Sequence, residues 1–158
     1  MLKKVKPGSG GGRRSGGHFV IVASRYNQRY VDAMLRAAER TLRAAGVESV
    51  EVVRVPGAFE IPVVVARRAR RSVRRPAAVI CLGVILRGET THAQQVGEAV
   101  TGALMRISVA EEVPIIHEVL LLENTRQALA RCVSRDHNRG TEAAQTALVM
   151  AEVMTRIG

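Results

Sequence analysis

Apolar and polar positions along this chain alternate between short solid runs and longer stretches with helical spacing. Phe19-Val20-Ile21-Val22-Ala23 is a continuous apolar run that ends in the polar turn Ser24-Arg25-Tyr26-Asn27. Such runs predict strands covered on both faces. Val31, Met34, Leu35, Ala38 and Leu42 then recur at helical spacing until Gly46, predicting an amphipathic helix with a glycine stop. A second strand is expected over 50–55, broken by Pro56-Gly57, and Ala58-Phe59-Glu60-Ile61-Pro62 leads into a helix to about Arg71. The longest solid run, Ala78-Val79-Ile80-Cys81-Leu82-Gly83-Val84-Ile85-Leu86, gives way to Arg87-Gly88-Glu89-Thr90-Thr91-His92. Val96, Val100, Leu104 and Ile107 mark a helix over about 91–111, a fourth strand is expected over 115–122, a short helix to Ser134, and a last helix from Gly140 onward.

Strands alternating with helices imply right-handed βαβ units, hence an α/β fold with a parallel sheet covered on both sides. Ligands of such sheets bind beyond the carboxyl ends of the strands. The polar segments there are 24–27, 57–60, 87–92 and Glu123-Asn124, and they are expected to share one rim. Thr91 and Gln94 stand at capping-box spacing, as do Asn124 and Gln127. A helix start after a glycine-containing turn presents free N–H groups to an anion, and His92 beside it supplies a proton carrier that works near neutrality.

Composition narrows the field. The 158 residues suffice for one domain, here assigned to 18–158, after a basic, glycine-rich segment over 1–17 that reads as a flexible arm. The formal charge is +10, and Lys3, Lys4, Lys6, Arg13 and Arg14 lie in that arm with no acid among them. A second cluster, Arg67, Arg68, Arg70, Arg71, Arg74 and Arg75, reads as a solvated helix end, which leaves the arm as the place where nucleic acid is expected, if anywhere. Two Phe, two Tyr and no Trp offer no platform for stacking bases. No run approaches the roughly 20 apolar residues of a membrane span, and no apolar segment follows the first lysines as in a secretory signal. Cys81 and Cys132 lack metal-ligand spacing and read as buried thiols, which fits a cytoplasmic protein and no metal site.

Several motifs stand in one register: Arg25-Tyr26-Asn27, Val55-Pro56-Gly57-Ala58-Phe59-Glu60-Ile61-Pro62, Gly83 through His92, then Glu123-Asn124, Gln127-Ala128, Arg131 and Asn138-Arg139-Gly140. Together, over about 18–156, they resemble the 6,7-dimethyl-8-ribityllumazine synthase family. The resemblance implies a flavodoxin-like three-layer sandwich with a four-stranded parallel sheet. It implies a homo-oligomer of pentamers, in some members twelve pentamers in an icosahedral shell, with active sites between subunits. The implied reaction condenses 5-amino-6-(D-ribitylamino)uracil with 3,4-dihydroxy-2-butanone 4-phosphate, releasing phosphate and water, in riboflavin synthesis and without a cofactor.

The roles follow position by position. His92 matches the catalytic histidine. Glu89 and Thr90 match the phosphate-contacting pair, Glu89 through its main chain because an inward carboxylate would repel the anion, and Arg131 matches the phosphate-binding arginine, whose planar fork suits a dianion. Tyr26 matches the stacking aromatic, and Asn27, Ala58, Phe59 and Glu60 with Val84, Ile85 and Leu86 match contacts to the ring and ribityl chain. Phe59 is also read as partly core, and Glu60 as a carboxylate wanting either hydroxyl partners or a helix cap. Arg135 and Arg139 are further candidates; with Arg131 they also form a stripe at steps of four.

Two departures stand out. Ala93-Gln94-Gln95 replaces an aromatic-rich stretch, and His117 takes a position usually held by a phenylalanine that lines the pyrimidine pocket from the neighbouring subunit. An imidazole there is expected to stack and to donate to a ring carbonyl. The segment Val133-Ser134-Arg135-Asp136-His137, where pentamers meet in the family, leaves the assembly size open between pentamer, decamer and shell. The alternative that these departures raise is a non-catalytic paralogue that binds flavin or lumazine.

Overall fold

A computed structural model describes residues 16–158; the expected arm lies almost wholly outside the described residues. Four parallel strands, β1 (His18–Ser24), β2 (Ser49–Val55), β3 (Ala78–Leu86) and β4 (Ile115–Leu122), form one sheet in the order β2-β1-β3-β4. The helices are α1 (Gln28–Ala44), α2 (Ile61–Ala69), α3 (His92–Glu111), α4 (Thr125–Ala128) and α5 (Arg139–Ile157). This order, with the chain reversing direction across the sheet between β1 and β3, is the flavodoxin-like arrangement.

Alternation along β1 builds the two cores. Phe19, Ile21 and Ala23 face a layer made of α1 and α5, while Val20 and Val22 face α2 and α3. The side chains of β1 and most of those of β3 are thus covered, which is why these two strands read as solid apolar runs. The small residues Ala143, Ala144, Ala147 and Ala151 of α5 are buried against α1 and the sheet. At the start of α5, a Cβ on Gly140 would stand 2.0 Å from the Met34 carbonyl oxygen, so only glycine permits this approach of α5 to α1. Both cysteines are buried, as expected, and burial pushes the Cys132 thiol up to about 11.

Three local expectations give way. Thr91 has helical backbone angles and makes no side-chain cap; the His92 N–H is instead 3.4 Å from the Thr90 hydroxyl one residue earlier. The helix expected to run to Ser134 holds regular α geometry only over α4 and continues as a wider π turn, Leu129–Val133. The chain then bends, so Arg131, Arg135 and Arg139 form no continuous helical stripe. Phe59 is not core: it is 64% exposed, in a short 3-10 turn, Ala58–Glu60.

Candidate functional site

The carboxyl ends of β1, β2 and β3 open on one cleft of about 900 Å³. Its walls carry Tyr26 and Asn27 after β1, Ala58, Phe59 and Glu60 after β2, Val84, Ile85 and Leu86 of β3, and Thr90 and His92 at the start of α3. Three of the four rim segments thus converge. The fourth lies alongside: Arg87 donates to the Glu123 carboxylate at 2.8 Å, and its N–H to the Leu122 carbonyl at 2.8 Å.

Each wall is fixed by identifiable bonds. Asn27 adopts a left-handed backbone, φ 57°, a region that asparagine tolerates better than most residues, and its amide donates to the Val84 carbonyl at 2.7 Å. The reason lies in the register: β1 last pairs with β3 at Ala23 and Leu82, so beyond Leu82 β3 keeps only β4 as a neighbour, and Asn27 supplies the donor that its β1 side lacks. The Arg25 and Tyr26 N–H groups each donate to the Pro56 carbonyl at 3.0 Å, pinning the β1 turn to the β2 turn. Gly57 leaves the space that Tyr26 occupies, since a Cβ there would stand 2.8 Å from its ring. The Gly57 N–H donates to the Glu60 carboxylate at 2.9 Å; Glu60 is therefore the cap that the sequence allowed for, with one oxygen still unused.

Tyr26, 68% exposed, and Phe59 are large rings left on the cleft wall rather than buried, a costly surface unless a flat ligand covers them. His92 is exposed on the same wall, at the end of α3 where the peptide dipoles favour an anion. Glu89 is exposed beside the cleft without forming its wall.

Gly57 and Gly88, within the expected rim segments, also line the cleft; the sequence reading missed Ala93, Gln95, Val96 and Ala99, which complete the lining. The signal was available: His92, Gln95, Val96 and Ala99 are spaced as one helix face.

The remaining candidates lie off this cleft within one chain. Arg131 and Arg135 are exposed beyond β4. Arg139 is held between two carboxylates, with Nε donating to Glu118 at 3.0 Å and Nη1 to Glu142 at 2.8 Å. Burial disfavours its charge, but the two carboxylates outweigh burial and hold the guanidinium above its ordinary pKa. For Glu118 burial wins over Arg139, so its carboxyl titrates above the usual range. His117, half-buried on β4, accepts from the Val119 N–H at Nδ1, 3.1 Å away, and its Nε2 lies 2.7 Å from the Thr101 hydroxyl. With Nδ1 as acceptor the proton sits on Nε2, which donates to Thr101, whose hydroxyl donates to the Gly97 carbonyl at 2.8 Å. Both ring nitrogens are engaged within the chain, so the donation to a ring carbonyl foreseen above is not available in this arrangement.

The family model for 6,7-dimethyl-8-ribityllumazine synthase matches residues 16–155. The chain belongs to the 6,7-dimethyl-8-ribityllumazine synthase family. Curated relatives of that name align over nearly their whole length. That of Xylella fastidiosa strain 9a5c is 39% identical over 92% of this chain and 94% of its own. That of Halorhodospira halophila is 39% identical over 88% and 89%, and that of Pyrococcus furiosus is 34% identical over 98% and 96%. Among the described residues no helix is long and apolar enough to cross a membrane.

Proposed function

We propose that this chain condenses 5-amino-6-(D-ribitylamino)uracil with 3,4-dihydroxy-2-butanone 4-phosphate to 6,7-dimethyl-8-ribityllumazine, with loss of phosphate and water. The observation that carries the reading is the cleft itself, where segments from three separate turns bring two exposed rings, a strand end and His92 onto one surface. Tyr26 and Phe59 supply flat apolar faces for the uracil ring, and the free oxygen of Glu60 suits a hydroxyl of the ribityl chain.

Imine formation, elimination of phosphate and ring closure each move a proton. His92, exposed at the cleft, is the group assigned to give and take it. The phosphate lies at the start of α3, against main-chain N–H groups of Glu89 and Thr90 and the Thr90 hydroxyl. Arg131 provides the guanidinium from a neighbouring subunit, and the neighbour's His117 closes the pyrimidine pocket as a flat ring. Two chains per site require a homo-oligomer, built on pentamers. Arg139, committed to two carboxylates, serves as a brace for the loop before α5, while Arg135 remains available to the phosphate. Two buried, reduced thiols suit a reducing compartment, the cytoplasm.

The test mixes the purified protein with both substrates and follows the fluorescent lumazine. His92→Ala is expected to lower kcat by about 10²–10⁴, and Arg131→Ala to raise KM for the phosphate substrate. Full activity in both variants refutes the assignment.

A further inference from the structure

The amino ends of the strands form a second, differently built surface. A pocket of about 350 Å³ lies there, lined by His18, Ser49, Glu51, Arg68, Arg71 and Arg74 among others. It sits at the opposite end of the sheet from the substrate cleft, because β1 and β2 begin at it and the cleft lies at their carboxyl ends. The only carboxylate in its wall, Glu51, is already neutralised: Arg68 donates to it at 2.7 Å, and His18 stands 3.5 Å away. Arg70 pairs with Glu111, and Arg75 donates to the Glu111 carbonyl. Arg71 and Arg74 are exposed and have no acidic partner among the described residues.

The charge balance of the described residues singles out this end. Of the 19 Lys and Arg among residues 16–158, six lie in the arginine cluster at 67–75, and the other 13 are outnumbered by the 14 Asp and Glu of the same stretch. Apart from this cluster, the described residues have no positive excess. We infer that this end of the molecule is a docking surface for double-stranded nucleic acid, gripped through its phosphates. The inference does not depend on the reading of the substrate cleft.

A duplex is favoured over a single strand because no aromatic side chain is available to stack on bases. Phe19 and Tyr30 are buried, and Tyr26 and Phe59 lie at the cleft. A membrane surface is disfavoured because Val73 is the one well-exposed large apolar side chain in the arginine loop, where interfacial binding uses several. Binding of this kind is insensitive to sequence and falls steeply with salt.

The experiment titrates the full, assembled protein against a short labelled duplex by fluorescence anisotropy across a salt series. Each phosphate contact contributes about 0.9 to the salt slope, equivalent to about eightfold at 0.1 M salt, so Arg71→Gln with Arg74→Gln is expected to weaken binding about 60-fold and flatten the slope by about 2. Lumazine formation and assembly size stay unchanged. Four results overturn the proposal: equal binding by the double variant, equal or tighter binding to anionic phosphatidylserine vesicles, complete displacement by millimolar inorganic phosphate, or a changed assembly size. The last three would mark the arginines as a lipid contact, a small-anion pocket or a subunit contact respectively.

Discussion

Asn27 ties the architecture of the sheet to the cleft, and its replacement has a cost that can be divided into parts. Its backbone holds φ 57° and its amide donates at 2.7 Å to Val84, a residue that is only 3% exposed. Asn27→Ala removes the donor, leaving a nearly buried carbonyl without a partner at about 1–2 kcal/mol. It also forces alanine into the left-handed region, at about 1 kcal/mol more. Asn27→Gly loses the same hydrogen bond but accepts the backbone angle freely. The expected order of stability is therefore wild type, then glycine, then alanine, with alanine lower than wild type by about 3 kcal/mol, or about 6–12 °C in melting temperature for a chain of this size. Thermal unfolding followed by circular dichroism at one fixed protein concentration measures this, since an oligomer's transition moves with concentration. The same turn carries Tyr26, so both variants are expected to raise KM for the pyrimidine substrate more than they lower kcat. Alanine matching or exceeding glycine in stability would refute the claim that the backbone angle carries part of the cost.

Other expectations follow from the same geometry. Gly140→Ala places a methyl against the Met34 backbone, with the carbonyl oxygen at 2.0 Å, and forces α5 away from α1; a loss of about 3 kcal/mol or more is expected in chemical denaturation, and a normal midpoint would show that the helices yield. Burial lowers the pKa of His117 from 6.5, so the unfolded chain takes up its proton first as pH falls. The stability this neutral imidazole provides is present above about pH 6.5 and is lost as pH falls through its lower folded value; His117→Phe is expected to flatten that acid limb in melting temperatures measured from pH 8 to 5. His117→Phe is also expected to shift KM for the pyrimidine substrate, and an unchanged KM would place residue 117 outside the pocket.

Much of the fold was legible because its signals are local. β3 reads as buried on both faces since it is flanked by β1 and β4 and covered by helices on either side. The Asn124 cap was legible for the same reason, and the Gln127 N–H does donate to its side chain at 3.0 Å. Thr91 misled because capping-box spacing does not fix the backbone of the cap residue: Thr91 takes helical angles, φ −74° and ψ −1°, where a capping residue is normally extended, and its side chain makes no cap. Phe59 misled because apolarity does not distinguish a core ring from one left open to a ligand. The arginines at steps of four looked periodic because their count ignores the bend after Val133. That bend is set by Asn138, whose amide donates to the Cys132 carbonyl at 2.6 Å while its oxygen accepts from Gly140 at 2.8 Å. No sequence pattern announced that the arginine at 139 would be clasped by Glu118, a residue 21 positions away on β4.

Arg131 is exposed in the π turn beyond β4, off the cleft on which His92 opens. If its working parts are divided between neighbours as proposed, a defective allele of one kind need not be lost to the cell. Subunits lacking the imidazole and subunits lacking the guanidinium, each inert when purified alone, should regain partial turnover once they are unfolded together and allowed to reassemble as hybrids, because some seams then join two undamaged halves.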